Sequence, residues 1–239
     1  METKTVGIIG GLGPETTAKF YLEVIAKSKL IDSSHRPQMI IWNVPMNLET
    51  ENSFIRGDDE SEAYIAVLSN AAKKLELAGA DFLVIPCNSV HIFIDKIREA
   101  VKSPVLSIVE ETDTFLKEHN ITKVGILATS ATVKNQLYDC VLEQQGVEVI
   151  LPSATEQTDL DSSITRLVDN ESSEKDKEKL ENIITALADN GVQVTLLACT
   201  DLQLIAPSHP TVAIYDTMHI LVDSTVREIF ETKTKPQES

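Results

Sequence analysis

Two of the three cysteines stand at positions where a thiol can do chemistry. Cys87 and Cys199 each follow a short apolar run with β-strand character, and each precedes small polar residues. In an open α/β sheet, ligands bind beyond the carboxyl ends of the strands, so both thiols are predicted to lie where a site is built. A helix that begins just after each cysteine would lower its thiol pKa from about 8.5. Cys140, between Tyr138 and Leu142 in a helical pattern, is predicted only to pack in the core.

Two thiols that approach one bound molecule from opposite sides suit inversion at a carbon acid. One thiolate removes the proton, and the other thiol delivers a proton to the opposite face. A redox pair is the competing interpretation, but the sequence has no CxxC motif and no evident resolving partner. The three cysteines at wide spacings also predict no disulfide framework and no metal site.

Other polar residues near these positions have two interpretations each. His91 follows Cys87 by four residues, and a structural histidine bonded to a backbone carbonyl is favoured over a catalytic one. Thr129 follows a predicted strand, where its hydroxyl would bind a carboxylate or cap the next helix. The glycine-rich turn 10–17 lacks the third glycine of a dinucleotide-binding loop, which argues against nicotinamide and flavin cofactors. Its backbone N–H groups, that of Gly11 included, would bind a small anion, or the turn simply joins a strand to a helix.

The elements that must hold these residues alternate between short strands and longer helices. Apolar, β-branched runs predict the strands, and residues three or four apart, such as Phe20 and Val24, mark buried helix faces. This alternation predicts an α/β fold in which parallel strands are covered by helices on both faces. The predicted strands cover residues 6–9, 39–42, 82–85, 105–108, 124–127, 148–150, 194–197 and 212–214.

A weak internal repeat divides this fold into two similar lobes. The run Val6-Gly7-Ile8 is echoed by Val124-Gly125-Ile126 at an offset of 118 residues. A glycine stands eight residues before each of Cys87 and Cys199, and these two segments are offset by 112 residues. Two pairs in the same order at nearly the same offset indicate a duplication. Each lobe is therefore predicted to end one of its strands in a cysteine.

Charge and composition narrow the range of partners. Of 239 residues, 21 are Lys or Arg and 37 are Asp or Glu, which gives a net charge of −16. Nucleic acid and an anionic membrane would both be repelled, so neither is an expected partner. The apolar share of 42% is enough for a packed core, and we expect neither a signal peptide nor a membrane anchor. These features predict a cytoplasmic protein that acts on a small molecule.

Four motifs spread over roughly residues 4 to 230 form a specific combination. They are Gly10-Gly11-Leu12-Gly13-Pro14, Pro86-Cys87-Asn88-Ser89-Val90-His91, Gly125-Ile126-Leu127-Ala128-Thr129 and Cys199-Thr200. With them the sequence resembles the cofactor-independent aspartate/glutamate racemase superfamily, and most closely its aspartate racemase branch. The resemblance implies two Rossmann-like lobes with the active site in the cleft between them. The first lobe would comprise residues 1–103 plus 213–239, and the second residues 104–212.

The resemblance also assigns roles to individual residues. Cys87 and Cys199 would be the paired acid and base, and neither pyridoxal phosphate nor a metal would take part. The α-carboxylate and α-amino group of an amino acid would be held by a further set of polar side chains. These are Asn88, Ser89, Thr129 and Thr200. The resemblance implies a homodimer as well, although no stretch of sequence identifies an interface.

Two positions depart from the aspartate racemase pattern. Aspartate racemases place an arginine five residues after the proline that matches Pro45, and this chain has Thr50 there. They also carry a lysine at the position that matches Asp169. An acid would repel an acidic substrate, whereas an arginine would bind the substrate carboxylate through two hydrogen bonds. Arg56 is a candidate replacement for the missing arginine.

The sequence therefore predicts an amino-acid racemase whose substrate has a neutral or basic side chain, with Thr50 and Asp169 close to it. Aspartate or glutamate is the alternative substrate that the resemblance alone would assign. A hydantoin racemase-like isomerase is a second alternative within the superfamily. A non-catalytic amino-acid sensor is a third, and the retention of both Cys87 and Cys199 argues against it.

Overall fold

The computed structural model describes residues 3–56 and 61–231, which form two parallel β-sheets flanked by helices. Seven strands are found within these residues. They are β1 (Val6–Gly10), β2 (Met39–Asn43), β3 (Phe82–Val84), β4 (Lys123–Leu127), β5 (Glu148–Ile150), β6 (Val194–Leu197) and β7 (Ala213–Asp216).

Ten α-helices cover the sheets within the same residues, and two short 3₁₀ helices begin shortly after Cys87 and Cys199. The α-helices are α1 (Pro14–Ile31), α2 (Leu48–Ile55), α3 (Ser61–Leu77), α4 (Ile94–Ala100), α5 (Ile108–Glu118), α6 (Ser130–Lys134), α7 (Asp139–Glu143), α8 (Ala154–Val168), α9 (Glu174–Asp189) and α10 (Thr217–Phe230). The 3₁₀ helices are Ser89–Phe93 and Thr200–Leu204.

The two sheets repeat one arrangement. The first sheet has the strand order β2-β1-β3, the second has the order β5-β4-β6-β7, and all of these pairings are parallel. Strands β1 and β4 carry the repeated Val-Gly-Ile motif, and each lies between two neighbours. The prediction of an α/β fold with two similar lobes is confirmed.

One predicted strand is wrong. Residues 105–108 form only an isolated bridge between Val105 and Leu83, and helix α5 begins at Ile108. The hydroxyl of Ser107 accepts a hydrogen bond from the backbone N–H of Glu110 and caps this helix. The apolar run at residues 105–108 therefore serves two elements: Val105 lies at the edge of the first sheet, and Ile108 begins a helix.

A shared core joins the two halves. One cluster of buried side chains includes Ile8 of β1, Phe20 of α1, Ile126 of β4, Leu196 of β6 and Leu221 of α10. Since these residues come from both sheets and from the helices between them, burial of apolar surface stabilises the halves together rather than separately.

The C-terminal segment contacts both halves. Strand β7 pairs with β6 of the second sheet, whereas α10 packs against α1 and α5. Residues 213–216, which the sequence grouped with the first lobe, are thus strand partners of the second sheet. The division into lobes of residues 1–103 plus 213–239 and residues 104–212 stays a prediction. The pairing of β7 with β6 means that its C-terminal segment is shared between the two halves.

Candidate active site

The loop that carries Cys87 follows β3 at the carboxyl end of the first sheet. The backbone N–H of Cys87 donates to the carbonyl of Ile85 over 2.8 Å, which closes a tight turn. Nδ1 of His91 lies 2.7 Å from the carbonyl oxygen of Cys87, and Nε2 of His91 accepts from the N–H of Ile108 over 3.2 Å. Nδ1 must therefore carry the proton. Burial lowers the pKa of His91 to about 4, so the ring is neutral and structural, as predicted.

The loop that carries Cys199 follows β6 at the carboxyl end of the second sheet. Its 3₁₀ helix begins at once, and the N–H of Leu202 donates to the carbonyl of Cys199 over 3.1 Å. Asp201 is held beneath the glycine-rich turn, because the hydroxyl of Thr16 donates to Asp201 Oδ1 over 2.7 Å. Asp201 Oδ2 lies 4.0 Å from Cys199 Sγ. An acid therefore accompanies the second thiol.

Both loops open into one cleft with about 420 Å³ of empty space, its solvent-open mouth included. The first half contributes polar side chains at Glu51, Cys87, Asn88 and Ser89 to the lining of this cleft. The second half contributes Thr129, Cys199, Thr200 and Asp201. Of the seven residues that the sequence singled out for binding, four line this cleft, namely Asn88, Ser89, Thr129 and Thr200. The remaining lining residues are apolar or aromatic, among them Leu12, Phe54 and Ile164.

The thiols of the cleft are difficult to ionise. Burial, together with the charges of Asp201 and Glu51, raises the pKa of Cys87 to about 12, although the backbone N–H groups that bond to its sulfur oppose this change. Burial and Asp201 also raise the pKa of Cys199 well above its usual value, and the charge of Cys87 adds to the rise. The expectation that a following helix lowers both thiol pKa values is therefore wrong.

Hydroxyl and amide groups line the same cleft as Cys87. The hydroxyls of Ser89 and Thr129 lie 2.8 Å apart, across the two halves. Thr129 also caps α6, because its Oγ1 accepts from the N–H of Thr132 over 3.2 Å. The capping interpretation of Thr129 is confirmed, and the same hydroxyl still lines the cleft. Asn88 is 1% exposed and bonded on both sides of its amide.

An acidic group that the sequence did not single out enters the cleft from α2. Glu51 lines the cleft together with Phe54 and Ile55, which are three and four residues further along one face of the helix. Burial raises the pKa of Glu51 to about 7, and the charges of Asp201, Asp169 and Glu15 contribute. Among the described residues that line the cleft, none is Lys, Arg or His. The electrostatic environment is therefore that of a site that favours positive charge.

Three of the predicted binding residues are not part of this lining. Thr50 precedes Glu51 on α2, and Asp169 ends α8, where its Oδ1 accepts from Asn52 Nδ2 over 3.2 Å. This bond connects α2 of the first half to the second half. The N–H of Gly11 donates to Thr17 Oγ1 over 3.0 Å. Roles for Thr50, Asp169 and Gly11 in binding stay predictions, and Asp169 acts on the cleft through its charge on Glu51.

Gly11 has a steric role in this turn. Its φ is 89°, and a β-carbon there would lie 2.8 Å from the backbone nitrogen of Val44. Only glycine combines this backbone conformation with such a close approach. Arg56, the candidate replacement for an arginine, lies at the end of α2, where its carbonyl accepts from Lys134 Nζ over 3.1 Å, and it does not line the cleft.

The third cysteine differs from its prediction. Cys140 is exposed, and its sulfur lies 3.7 Å from Oε1 of Gln136. The prediction that it packs in the core is wrong because Leu142 is the buried residue of α7, and Cys140, two positions earlier, lies on the opposite face. In the part of the chain that the structure describes, no three His, Cys, Asp or Glu side chains are arranged to hold a metal ion. None of the described helices is both long and apolar enough to cross a membrane.

Comparison with known proteins gives the class to which this arrangement belongs. The sequence model of the Asp/Glu/Hydantoin racemase family matches residues 9–225. The chain belongs to this family. The resemblance to aspartate and glutamate racemases is thereby confirmed.

Individual relatives agree with this assignment. The broad specificity amino-acid racemase RacX of Bacillus subtilis is 36% identical over 151 residues, which are 61% of this chain. The chain spans 63% of the length of RacX. A candidate Asp/Glu racemase from Yersinia pestis has a TM-score of 0.83 and 28% identity, and the match covers 95% of this chain and 100% of that one. The aspartate racemase of Picrophilus torridus has a TM-score of 0.76 and 27% identity, with 94% of each chain covered.

Proposed function

We propose that the chain is an amino-acid racemase in which Cys87 and Cys199 exchange protons with the α-carbon from opposite sides. The observation that carries this proposal is the convergence of both thiols on one cleft from corresponding strands of two similar sheets. RacX and the Picrophilus torridus enzyme are named as racemases, which supports the same reaction class.

The reaction needs only the two sulfurs as acid and base. One thiolate takes the α-proton and becomes a thiol, and the electron pair of the broken C–H bond stays on the α-carbon. The other thiol then gives its proton to the opposite face and becomes a thiolate. The sulfurs exchange their protonation states in each turnover, so the reverse reaction starts from the state that the forward reaction leaves. No cofactor enters this sequence.

The raised thiol pKa values have a consequence for the substrate. A thiolate forms more easily when a positive charge enters the cleft, because that charge offsets the effect of Glu51 and Asp201 on the sulfurs. The α-ammonium group supplies one such charge. A high thiol pKa also makes the resulting thiolate a stronger base toward a carbon acid. The substrate would thus help to create its own base.

The side chain of the substrate is proposed to be neutral or basic. Glu51 and Asp201 line the cleft, and Asp169 and Glu15 act on Glu51 through their charges. A second carboxylate on the substrate would add repulsion to a group of acids that already hinder one another's ionisation. A cationic side chain would relieve that repulsion. Aspartate and glutamate are therefore disfavoured as substrates.

The decisive experiment incubates the protein with single L-amino acids in heavy water. The panel contains basic, neutral and acidic amino acids together with 5-substituted hydantoins. The enantiomers are separated by chiral chromatography, and their deuterium content is measured by mass spectrometry. We expect α-deuterated D-enantiomers from basic or neutral amino acids. Reaction of aspartate or glutamate alone would contradict the substrate class but keep the reaction. Reaction of hydantoins alone, or of no compound, would replace the proposal by the isomerase or the sensor.

A further inference from the structure

A chain of buried hydrogen bonds links the residue after Cys87 to the end of the strand before Cys199. The hydroxyl of Tyr138 donates to Asn88 Oδ1. Nδ2 of Asn88 donates to Thr217 Oγ1 over 3.0 Å, and the hydroxyl of Thr217 donates to the carbonyl of Leu197 over 2.9 Å. Tyr138, Asn88 and Thr217 are 2%, 1% and 0% exposed.

The number of hydrogens available for donation fixes which group donates and which accepts in each of these hydrogen bonds. Tyr138 and Thr217 each have a single hydroxyl hydrogen. Thr217 Oγ1 also lies 3.2 Å from Asn88 Oδ1, but its hydrogen is committed to the carbonyl of Leu197 while its lone pair accepts from Nδ2. The amide of Asn88 therefore has its oxygen toward Tyr138 and its nitrogen toward Thr217. A flipped amide would place its oxygen against Thr217 Oγ1, which leaves two acceptors facing each other in a buried site.

The same bonds cross between the two sheets. Asn88 follows β3 of the first sheet, whereas Thr217 begins α10 directly after β7 of the second, and Leu197 ends β6. Cys87 and Cys199 are 112 residues apart in sequence, so local chain geometry cannot set the distance between their sulfurs. The bonded groups provide a direct mechanical connection between the two thiol loops. Neither Tyr138 nor Thr217 lines the cleft.

We propose that Tyr138 and Thr217 are positioning residues that hold the two thiol loops at the spacing that proton delivery to opposite faces requires. This inference rests on the racemase function proposed above. Acid–base catalysis depends steeply on geometry, and a displacement of about 1 Å can lower a rate roughly 100-fold. Loss of one hydroxyl from this connection would let the Cys87 loop and the Cys199 loop move relative to each other.

The carbanion has two fates, inversion and return to the starting enantiomer, and the ratio between them depends on the spacing of the two thiols. After the near thiolate has taken the α-proton, the carbanion either receives a proton from the far thiol, which inverts it, or from the near thiol, which restores the starting enantiomer. In heavy water the near thiol can exchange its hydrogen before it returns it, so restoration yields the deuterated starting enantiomer. A misplaced far thiol lowers inversion more than it lowers exchange with retention. The ratio of the two deuterated enantiomers at early times measures this effect.

The test uses Tyr138→Phe and Thr217→Val, with the best substrate of the wild-type protein. We expect kcat for inversion to fall roughly 10- to 100-fold with little change in KM, and the ratio of retained to inverted deuterated product to rise at least several-fold. Thr217→Ser keeps the hydroxyl and should restore the wild-type ratio. Thr225→Val is the matched control on the same helix, since Thr225 is also fully buried and donates to the carbonyl of Leu221 over 2.7 Å. Its ratio should stay at the wild-type value.

A purely structural role gives a different result. Both deuterated products would then fall in proportion to the folded fraction measured by circular dichroism, at an unchanged ratio, and the proposal would be overturned. Tyr138→Phe removes one oxygen atom only, so it carries the test if Thr217→Val does not fold. A wild-type protein that exchanges no α-proton would overturn the proposed function itself, and this outcome is seen before any variant is made.

Discussion

The two halves of the molecule share a scaffold and differ at the edge that faces the cleft. Gly7 of β1 and Gly125 of β4 occupy the same place in their sheets, between corresponding neighbours. A β-carbon at Gly7 would meet Leu75, Ala80 and Leu83, and one at Gly125 would meet Leu187, Val192 and Thr195. Each residue of the first set is 112 positions before its counterpart in the second. The repeat therefore extends to individual packing contacts.

The surroundings of the thiols do not repeat in this way. Cys87 is followed by Asn88 and Ser89, which are neutral and bonded to the opposite half. Cys199 is followed by Thr200 and then by Asp201, a half-buried acid whose pKa is raised by desolvation. A duplicated scaffold thus presents two different faces to a molecule in the cleft. The scaffold fixes where the thiols stand, and burial together with the acids Asp201 and Glu51 makes both of them difficult to ionise.

The largest expected effect comes from removal of either thiol. Cys87→Ala and Cys199→Ala should each lower racemisation roughly 100- to 10,000-fold, because one lost acid or base interrupts the exchange in both directions. Cys140→Ala is the matched control, since Cys140 is exposed and outside the cleft. The measurement is the initial rate from each enantiomer by chiral chromatography. Full activity of either variant would show that the two halves do not contribute equivalent groups.

The second test compares the packing of the two central strands. A β-carbon at Gly7 would lie 2.8 Å from Ala80 Cβ, which cannot move without its backbone, whereas at Gly125 the nearest atom, at 2.9 Å, is the end of the Leu187 side chain. Gly7→Ala should lower the free energy of unfolding by about 2–3 kcal/mol, and Gly125→Ala by about 1 kcal/mol. Urea denaturation measures both values. Equal losses would show that the two halves respond alike.

The smallest expected effects concern the acid on α2. The pKa of Glu51 is raised from 4.5 to about 7 in the folded chain, so the folded state holds this proton more tightly than the unfolded state does. Its presence therefore lowers stability progressively as the pH rises from about 4.5 to about 7. Glu51→Gln should be about 1 kcal/mol more stable than wild type at pH 8, after allowance for solvent screening, with no difference near pH 4.

The same substitution separates binding from reactivity. The charge of Glu51 contributes to the raised pKa of Cys87, so Glu51→Gln should speed alkylation of Cys87 by a neutral reagent about two- to threefold at a given pH. At the same time KM for a cationic amino acid should rise several-fold, because one attractive charge is lost. Glu49→Gln removes an acid from the exposed side of the same helix and should change neither quantity. A lower KM for the cationic substrate would contradict the proposed specificity.

Sequence patterns predicted the sheets better than they predicted the cleft. Periodicity and the 112-residue repeat were sufficient for the two lobes and for both cysteine positions. The strand at residues 105–108 was wrong, although Ser107 followed three residues later by Glu110 is a recognisable helix start. Glu51 was missed in favour of Thr50, its neighbour. Successive residues on a helix point about 100° apart, so a count along the chain cannot choose between them.

A helical pattern could have found Glu51. The side chain of Asn47 caps α2 by accepting from the N–H of Glu49, and such a residue ahead of Glu51 and Ile55 indicates one helical face. The thiol pKa values could not have been predicted in the same way. They depend on burial and on Asp201 and Glu51, which come from opposite halves of the chain.

The pairing of β7 with β6 sets a limit on dissecting the protein. A fragment that ends at residue 212 would keep the second sheet but leave the backbone of β6 without its neighbour along Val194–Leu197. An apolar strand with unpaired N–H and C=O groups is a template for association with other chains. The duplicated half is thus not a self-sufficient unit, and any soluble version of it must retain Ala213–Asp216 as a protective edge.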